Sequence, residues 1–143
     1  MKIYTKKLKL KIVSIGDYDF LYDLLNERLQ YVNISHKKMP TKKQHIKFVN
    51  SKPYSKWYII LFNNIKIGSV YLSKQDEIGL HIKQDWAWKG LESLALKQLM
   101  MKNSCPRYLV NTNPKNKRLI SLLKKHKFKL LQQTYECLIN KYQ

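Results

Sequence analysis

Glu77 and His81 stand four residues apart in the segment Glu77-Ile78-Gly79-Leu80-His81-Ile82. Side chains alternate between the two faces of an extended strand, so both groups point to the same side. A carboxylate or a neutral imidazole within reach of an amine can take its proton, and an unperturbed imidazole titrates near neutral pH. Just beyond, Ile82 and Lys83 lead toward Ala87-Trp88-Lys89-Gly90-Leu91-Glu92-Ser93. Gly90 is expected to open a helix, with the main-chain N–H groups from Trp88 to Ser93 at its positive end, where an anion binds. Lys83 and Lys89 add positive potential to this loop, and Glu92 is a carboxylate of the kind that favours a helix N-terminus. A third group, Glu27, Arg28, Asn33, His36, Met39 and His45, with Trp57 further on, falls on and between two predicted helices. On residue type alone it reads as ordinary helix surface. Cys105 and Cys137 have no CxxC or Cys/His spacing, so neither a zinc site nor a disulfide framework is expected, and neither thiol adjoins the other candidates.

These groups need elements to hold them. Leu8, Leu10 and Ile12 alternate with Lys7, Lys9 and Lys11, which predicts a strand over Lys7 to Ile15 with one buried face. Gly16 breaks it, and Leu21, Leu24, Leu25 and Leu29 recur at helical spacing to about Gln30. Thr41 with Gln44 three residues later is a capping box that starts a second helix, ending before Pro53. Trp57 to Phe62 and Ile65 to Leu72 are rich in aromatic and β-branched residues, and Asn63-Asn64 between them suits a tight hairpin. Glu77 to Ile82 is a further strand, followed by a helix from Lys89 to Lys102 and a strand from Arg107 to Thr112. Asn113-Pro114 signals a turn into a helix from about Lys115 to His126, and Phe128 to Gln133 and Thr134 to Asn140 close as extended segments. The order β-α-α-β-β-β-α-β-α-β-β describes an α/β chain, a mixed sheet with helices on its faces.

With 143 residues, 44% of them hydrophobic, the chain is read as a single domain over residues 1–143. Its 28 Lys and Arg against 9 Asp and Glu give a net charge of +19, a field that attracts polyanions of any kind. Arginine occurs only at 28, 107 and 118, and base-reading surfaces lean on arginine's planar fork, so a nucleic-acid partner is not expected. No apolar stretch nears the roughly 20 residues of a membrane span, and the basic N-terminus runs into polar sequence; a cytoplasmic protein is expected.

Glu77 to Ile82, Lys89-Gly90-Leu91, Asn113-Pro114-Lys115-Asn116 and Lys125-His126-Lys127-Phe128, in this element order, resemble the GNAT superfamily of acyl-CoA-dependent N-acyltransferases. The resemblance implies a central, mostly antiparallel sheet of about seven strands with about four helices on its faces. It implies acetyl-CoA as acyl donor, direct transfer to a primary amine, and no metal. The cofactor residues it implies are Ile82, Lys83, Trp88, Lys89, Gly90, Leu91, Glu92 and Ser93 around the pyrophosphate loop, with Asn113 and Asn116 along the pantetheine arm. Glu77 matches a catalytic position of some family members and His81 is the second candidate base. Ala87 stands where that loop usually has Gln or Arg, Glu92 where a small residue is usual, Leu123 where a tyrosine acts as general acid, and Lys127 where glycine precedes Phe128. A looser resemblance, carried by Asn26-Glu27-Arg28, Met39-Pro40-Thr41, His45 to Phe48 and Trp57-Tyr58, is to nucleotide-sugar N-acetyltransferases, implying Arg28, His36, Met39 and Trp57 as acceptor residues. The alternatives are a protein or peptide amine as acceptor, a GNAT-fold binding protein without catalysis, and, last, a basic nucleic-acid-binding domain.

Overall fold

The computed structural model describes residues 7–31 and 38–139. Four strands, β1 (Leu8–Ile12), β2 (Lys56–Phe62), β3 (Ile65–Leu72) and β4 (Ile78–Ile82), form one antiparallel sheet in chain order. Four α-helices accompany them: α1 (Tyr18–Tyr31), α2 (Lys42–Asn50), α3 (Leu91–Lys102) and α4 (Lys117–Lys125). Asn63 and Asn64 both take positive φ, 51° and 64°, the pairing that lets a two-residue turn follow the twist of β2 and β3. Thr41 Oγ1 accepts from the Gln44 N–H and Gln44 Oε1 from the Thr41 N–H, closing the capping box that starts α2.

Both faces of the sheet are covered. Leu8, Tyr58, Ile60, Val70, Leu72, Ile78 and Ile82 pack on α3 through Leu91, Leu94, Ala95, Leu96 and Leu99. On the other face Ile59 packs on Leu21 of α1 and Val49 of α2. Ile59 and Ile60 are neighbours, face opposite ways and are both fully buried, which is why β2 reads as a continuous apolar run rather than an alternation. β4 lies at the edge of the sheet, so its free side is open to whatever follows in the chain.

The expected sheet of about seven strands is corrected to four among the described residues. Arg107 to Thr112 touches the sheet at a single parallel bridge, Glu77 to Leu109, and then leaves it. Residues 129–138 have no ladder partner, and Leu130, Leu131, Tyr135 and Leu138 are exposed. β-rich composition marks a segment that could pair, whereas pairing needs a partner edge at the right distance.

Candidate active site

Ile78 N donates to Leu109 O at 2.7 Å, and Leu109 N donates to Asp76 O at 2.9 Å. Among the described residues no further main-chain bond ties β4 to residues 110–112. Main-chain groups alternate in direction along a strand, so Leu80 and Ile82 turn theirs the same way as Ile78, into the gap this divergence opens. The gap is a cleft of about 1140 Å³ between β4 and α4. Its apolar wall includes Ile82, Leu96, Val110, Leu119 and Leu122, and its polar wall Asn113, Asn116, Lys115, Lys117 and Arg118. Asn116 Oδ1 also caps α4 by accepting from Leu119 N, and Asn113 Oδ1 takes the Lys115 N–H at 2.8 Å. Leu123 lines the same cleft and offers no proton.

The loop after β4 turns through left-handed conformations at Trp88 (φ 62°) and Gly90 (φ 92°), and α3 begins at Leu91. A donor expected to be free is taken: Trp88 N–H gives its hydrogen bond to Glu92 Oε2 at 2.6 Å. Glu92 is only 5% exposed, so its own carboxylate fills part of the loop's anion-binding surface. Burial pushes the Glu92 carboxyl up, and the Trp88 and Glu92 N–H groups and the Arg118 charge oppose that rise. The Arg118 guanidinium lies 6.0 Å from the centre of the Trp88 ring, a cation–π distance that keeps a positive charge beside the loop.

Of the cofactor residues expected from the sequence, Ile82, Trp88, Glu92, Asn113 and Asn116 line the cleft. Lys83, Lys89, Gly90, Leu91 and Ser93 do not. Lys83 N–H bonds Ile67 O, and Lys89 Nζ bonds Asp85 O. Leu91 is in the core, and the Ser93 hydroxyl is 2.7 Å from His126 Nε2, joining α3 to the end of α4. Lys115, Lys117 and Arg118 are cleft residues that sequence reasoning did not single out. Their lysine-rich setting hid them, because nothing in spacing separates a lysine facing a cleft from one facing solvent.

A second cavity, about 490 Å³, opens on the α1–α2 face of the sheet. Arg28, Tyr71, Gly79, Leu80 and His81 line both spaces, so the two meet across β4. Tyr71 lies over Gly79, its pairing partner, and a Cβ at Gly79 would run into the Tyr71 ring. Tyr54 stacks on Tyr71 at 3.7 Å and 4°, and Trp57 meets Tyr54 edge-on while its Nε1 donates to Ser69 Oγ at 2.8 Å. Arg28 and Trp57, expected from the sequence, therefore line this cavity together with His45. Met39 is half-buried and lines neither space. His36 and Asn33 lie outside the described residues.

No family model matches the sequence, and no curated protein does. Solved structures match it along most of its length. RimL, a ribosomal L7/L12 alpha-N-protein acetyltransferase in complex with coenzyme A, superposes with a TM-score of 0.75 at 16% identity, over 90% of this chain and 84% of that one. An acetyltransferase of the GNAT family from Streptococcus pneumoniae gives 0.68 at 17% identity, over 87% and 86%. The chain has the GNAT fold. A domain from Methanocaldococcus jannaschii shares it with a TM-score of 0.79 at 21% identity, over 91% of this chain and 93% of that domain.

Within this GNAT fold the two candidate bases sit at opposite ends of β4. Four residues of strand separate them by about 13 Å, so one proton path cannot use both. Glu77 lines the cleft only, and its Oε2 accepts from Asn111 Nδ2 at 2.7 Å. His81 lies where cleft and cavity meet, with Nε2 3.8 Å from Glu27 Oε1. Burial, and after it the Arg28 charge, holds the His81 imidazole down to about 4, so it is neutral at physiological pH. Glu27 in turn accepts from Gln84 N, tying α1 to the loop that follows β4.

Proposed function

We propose that this protein is an N-acetyltransferase that moves an acetyl group from acetyl-CoA to a primary amine by direct transfer. The observation that carries the reading is the meeting of a long cleft and a second cavity across the β4 main chain at Gly79, Leu80 and His81. Two substrates that react with each other need two entrances and one shared point, and holding them together there supplies several kcal/mol of the barrier through positioning alone. The cleft fits coenzyme A in kind. It offers outward-turned main-chain groups at Leu80 and Ile82, two asparagine amides, and Lys115, Lys117 and Arg118 for phosphate. Acetyl-CoA supplies an activated acyl group whose thiol leaves readily.

The rest falls to this chain's own residues. His81, neutral and at the junction, accepts the proton released as the amine forms its new bond, and Glu27 beside it stabilises the imidazolium so formed. Glu77, bonded to Asn111, holds the mouth of the cleft where β4 and the Leu109 segment meet. Leu123, at the position where the tyrosine acts as general acid, offers no proton, so the leaving thiolate is assigned its proton from solvent.

Two finer acceptors are weighed against the same cavity. Arg28 and Lys38 on its wall suit the phosphates of a nucleotide-linked amino sugar, while RimL is by its description an acetyltransferase for protein alpha-amines. The experiment that tests the main reading is a titration of the full chain with acetyl-CoA, followed by thiol release on adding an amine panel. Saturable binding with amine-dependent release of coenzyme A is expected. Absence of binding at millimolar acetyl-CoA overturns the reading, and binding without release for any amine leaves the non-catalytic alternative.

A further inference from the structure

The α1–α2 cavity has a chemistry of its own. Its walls are aromatic and aliphatic: Phe48, Tyr54, Trp57 and Tyr71 face Leu21, Leu24 and Leu25 across it. The rings pack on one another with centroids 3.7 Å to 6.1 Å apart, through Tyr54–Tyr71, Tyr54–Trp57 and Phe48–Trp57. Such a linked set is preorganised, and a further aromatic ring packs well against rings of this kind, offset or edge-on. Among the described residues none of the lining side chains is acidic, whereas two, Arg28 and Lys38, are cations. The Glu27 carboxylate stands at the junction beside His81, outside the cavity lining, and the cavity's own charges call for an anion on the ligand.

The position of Arg28 decides where that anion sits. Arg28 lines the cleft as well as the cavity, and its charge is felt by His81 at their junction. An anion paired with Arg28 therefore lies beside the amine that must reach His81, not at the far end of the ligand. In a nucleotide-linked sugar the phosphates stand between the base and the sugar amine, a whole ring away from it. In an α-amino acid the carboxylate and the amine share one carbon.

Building on the acetyl-transfer reading, we propose that the acceptor is a free α-amino acid with an aromatic side chain. Its ring enters among Tyr54, Trp57 and Phe48, its carboxylate pairs with Arg28, and its amine faces His81 across β4. The step balances as amine plus thioester giving amide plus thiol, with one proton leaving the nitrogen and one arriving on the sulfur. Burial in the apolar box favours the neutral amine, which is the form that attacks.

The test uses the full chain and four probes, L-phenylalanine, L-alanine, tyramine and uridine monophosphate, with binding read by calorimetry and transfer read as released thiol. Phenylalanine is expected to bind at least tenfold more tightly than alanine, which lacks the ring, and than tyramine, which lacks the carboxylate. Arg28→Gln is expected to erase the preference for phenylalanine over tyramine, and Phe48→Ala, at a position 43% exposed, to weaken phenylalanine while sparing the fold. Tyramine or uridine monophosphate binding as tightly as phenylalanine overturns the proposal, as does an Arg28→Gln chain that keeps the preference. Phenylalanine binding with no thiol release from any amine keeps the ligand class and overturns the transferase reading. Thiol release with other amines but not with phenylalanine does the reverse.

Discussion

At the scale of single residues, β4 and the loop after it hold groups whose environment changes their chemistry. His81 would titrate near 6.5 in water, but burial and Arg28 take it to about 4. Its low basicity makes it a modest base, worth about 10²-fold, and one that is unprotonated throughout the neutral range. His81→Ala is therefore expected to lower kcat about 10²-fold with no change in profile between pH 6 and 8, the loss narrowing only as pH falls toward 4. A step near pH 6.5 in the wild type that vanishes in His81→Ala would show the imidazole titrating in its ordinary range. Glu77→Gln keeps the bond from Asn111 and is expected to cost less than His81→Ala; a loss of 10²-fold or more from Glu77→Gln alone would move the base to Glu77. Glu92 is a local competitor for anions. Glu92→Gln leaves an oxygen to accept from Trp88 N and deletes a buried negative charge, so coenzyme A is expected to bind about tenfold more tightly by calorimetry. Weaker binding would show that the carboxylate shapes the loop rather than blocking it.

At the scale of elements, termini carry the sequence's clearest departures and its clearest conformities. The end of α4 is a closed motif in which Phe128 N donates to Leu123 O at 2.9 Å and Lys127 N to Lys124 O at 3.0 Å. Such a motif needs a left-handed residue after the cap, and Lys127 supplies it at φ 68°. An L side chain pays about 1 kcal/mol for this conformation and glycine almost none, which is the physical reason the related position favours glycine. Lys127→Gly is expected to raise unfolding stability by about 1 kcal/mol in urea denaturation, while Ser121→Gly, in the middle of α4, lowers it by about 0.5 kcal/mol. At the start of α2, Thr41→Ala removes the acceptor for Gln44 N and is expected to cost about 1 kcal/mol.

At the scale of the whole molecule, a chain of net charge +19 places its few carboxylates with care. Asp17, 1% exposed, accepts from Ser14 N and from Lys11 Nζ at 2.8 Å and faces Lys66 Nζ at 2.7 Å, joining β1, β3 and the entry to α1. Burial alone would raise its carboxyl, but the two lysines and the Ser14 N–H outweigh that and hold it at about 2. The folded value lies below the unfolded one of about 3.9, so this stabilisation is whole above pH 4 and is lost as pH falls from about 4 to 2. Asp17→Asn is expected to cost about 2–4 kcal/mol at pH 7, because two lysines then face a neutral amide. The gap in Tm between variant and wild type should close near pH 2; a gap unchanged with pH would show that shape, not charge, holds the site.

What the sequence determined by itself is what depends on near neighbours. Period-3.6 patterns, the Thr41–Gln44 box and the Asn63-Asn64 turn act within a few residues and stand in the structure, whereas the period-two strand read over Lys7 to Ile15 is shortened to Leu8–Ile12, with Ile12 exposed and Ile15 in a helical turn. The resemblance to GNAT proteins was legible for the same reason, since it rests on local segments in a fixed order. Tertiary structure alone decided the rest. Whether Arg107 to Thr112 becomes a strand depends on the edge it meets, and it meets β4 at one bridge before diverging, which creates the cleft instead. That Glu92 folds back onto Trp88 N, and that Tyr54, Tyr71 and Phe48 from three separate segments close one aromatic cavity around Trp57, follow from distances no spacing encodes. The fall of His81 far below its ordinary range is likewise a property of what covers it, and burial exists only once the chain has folded.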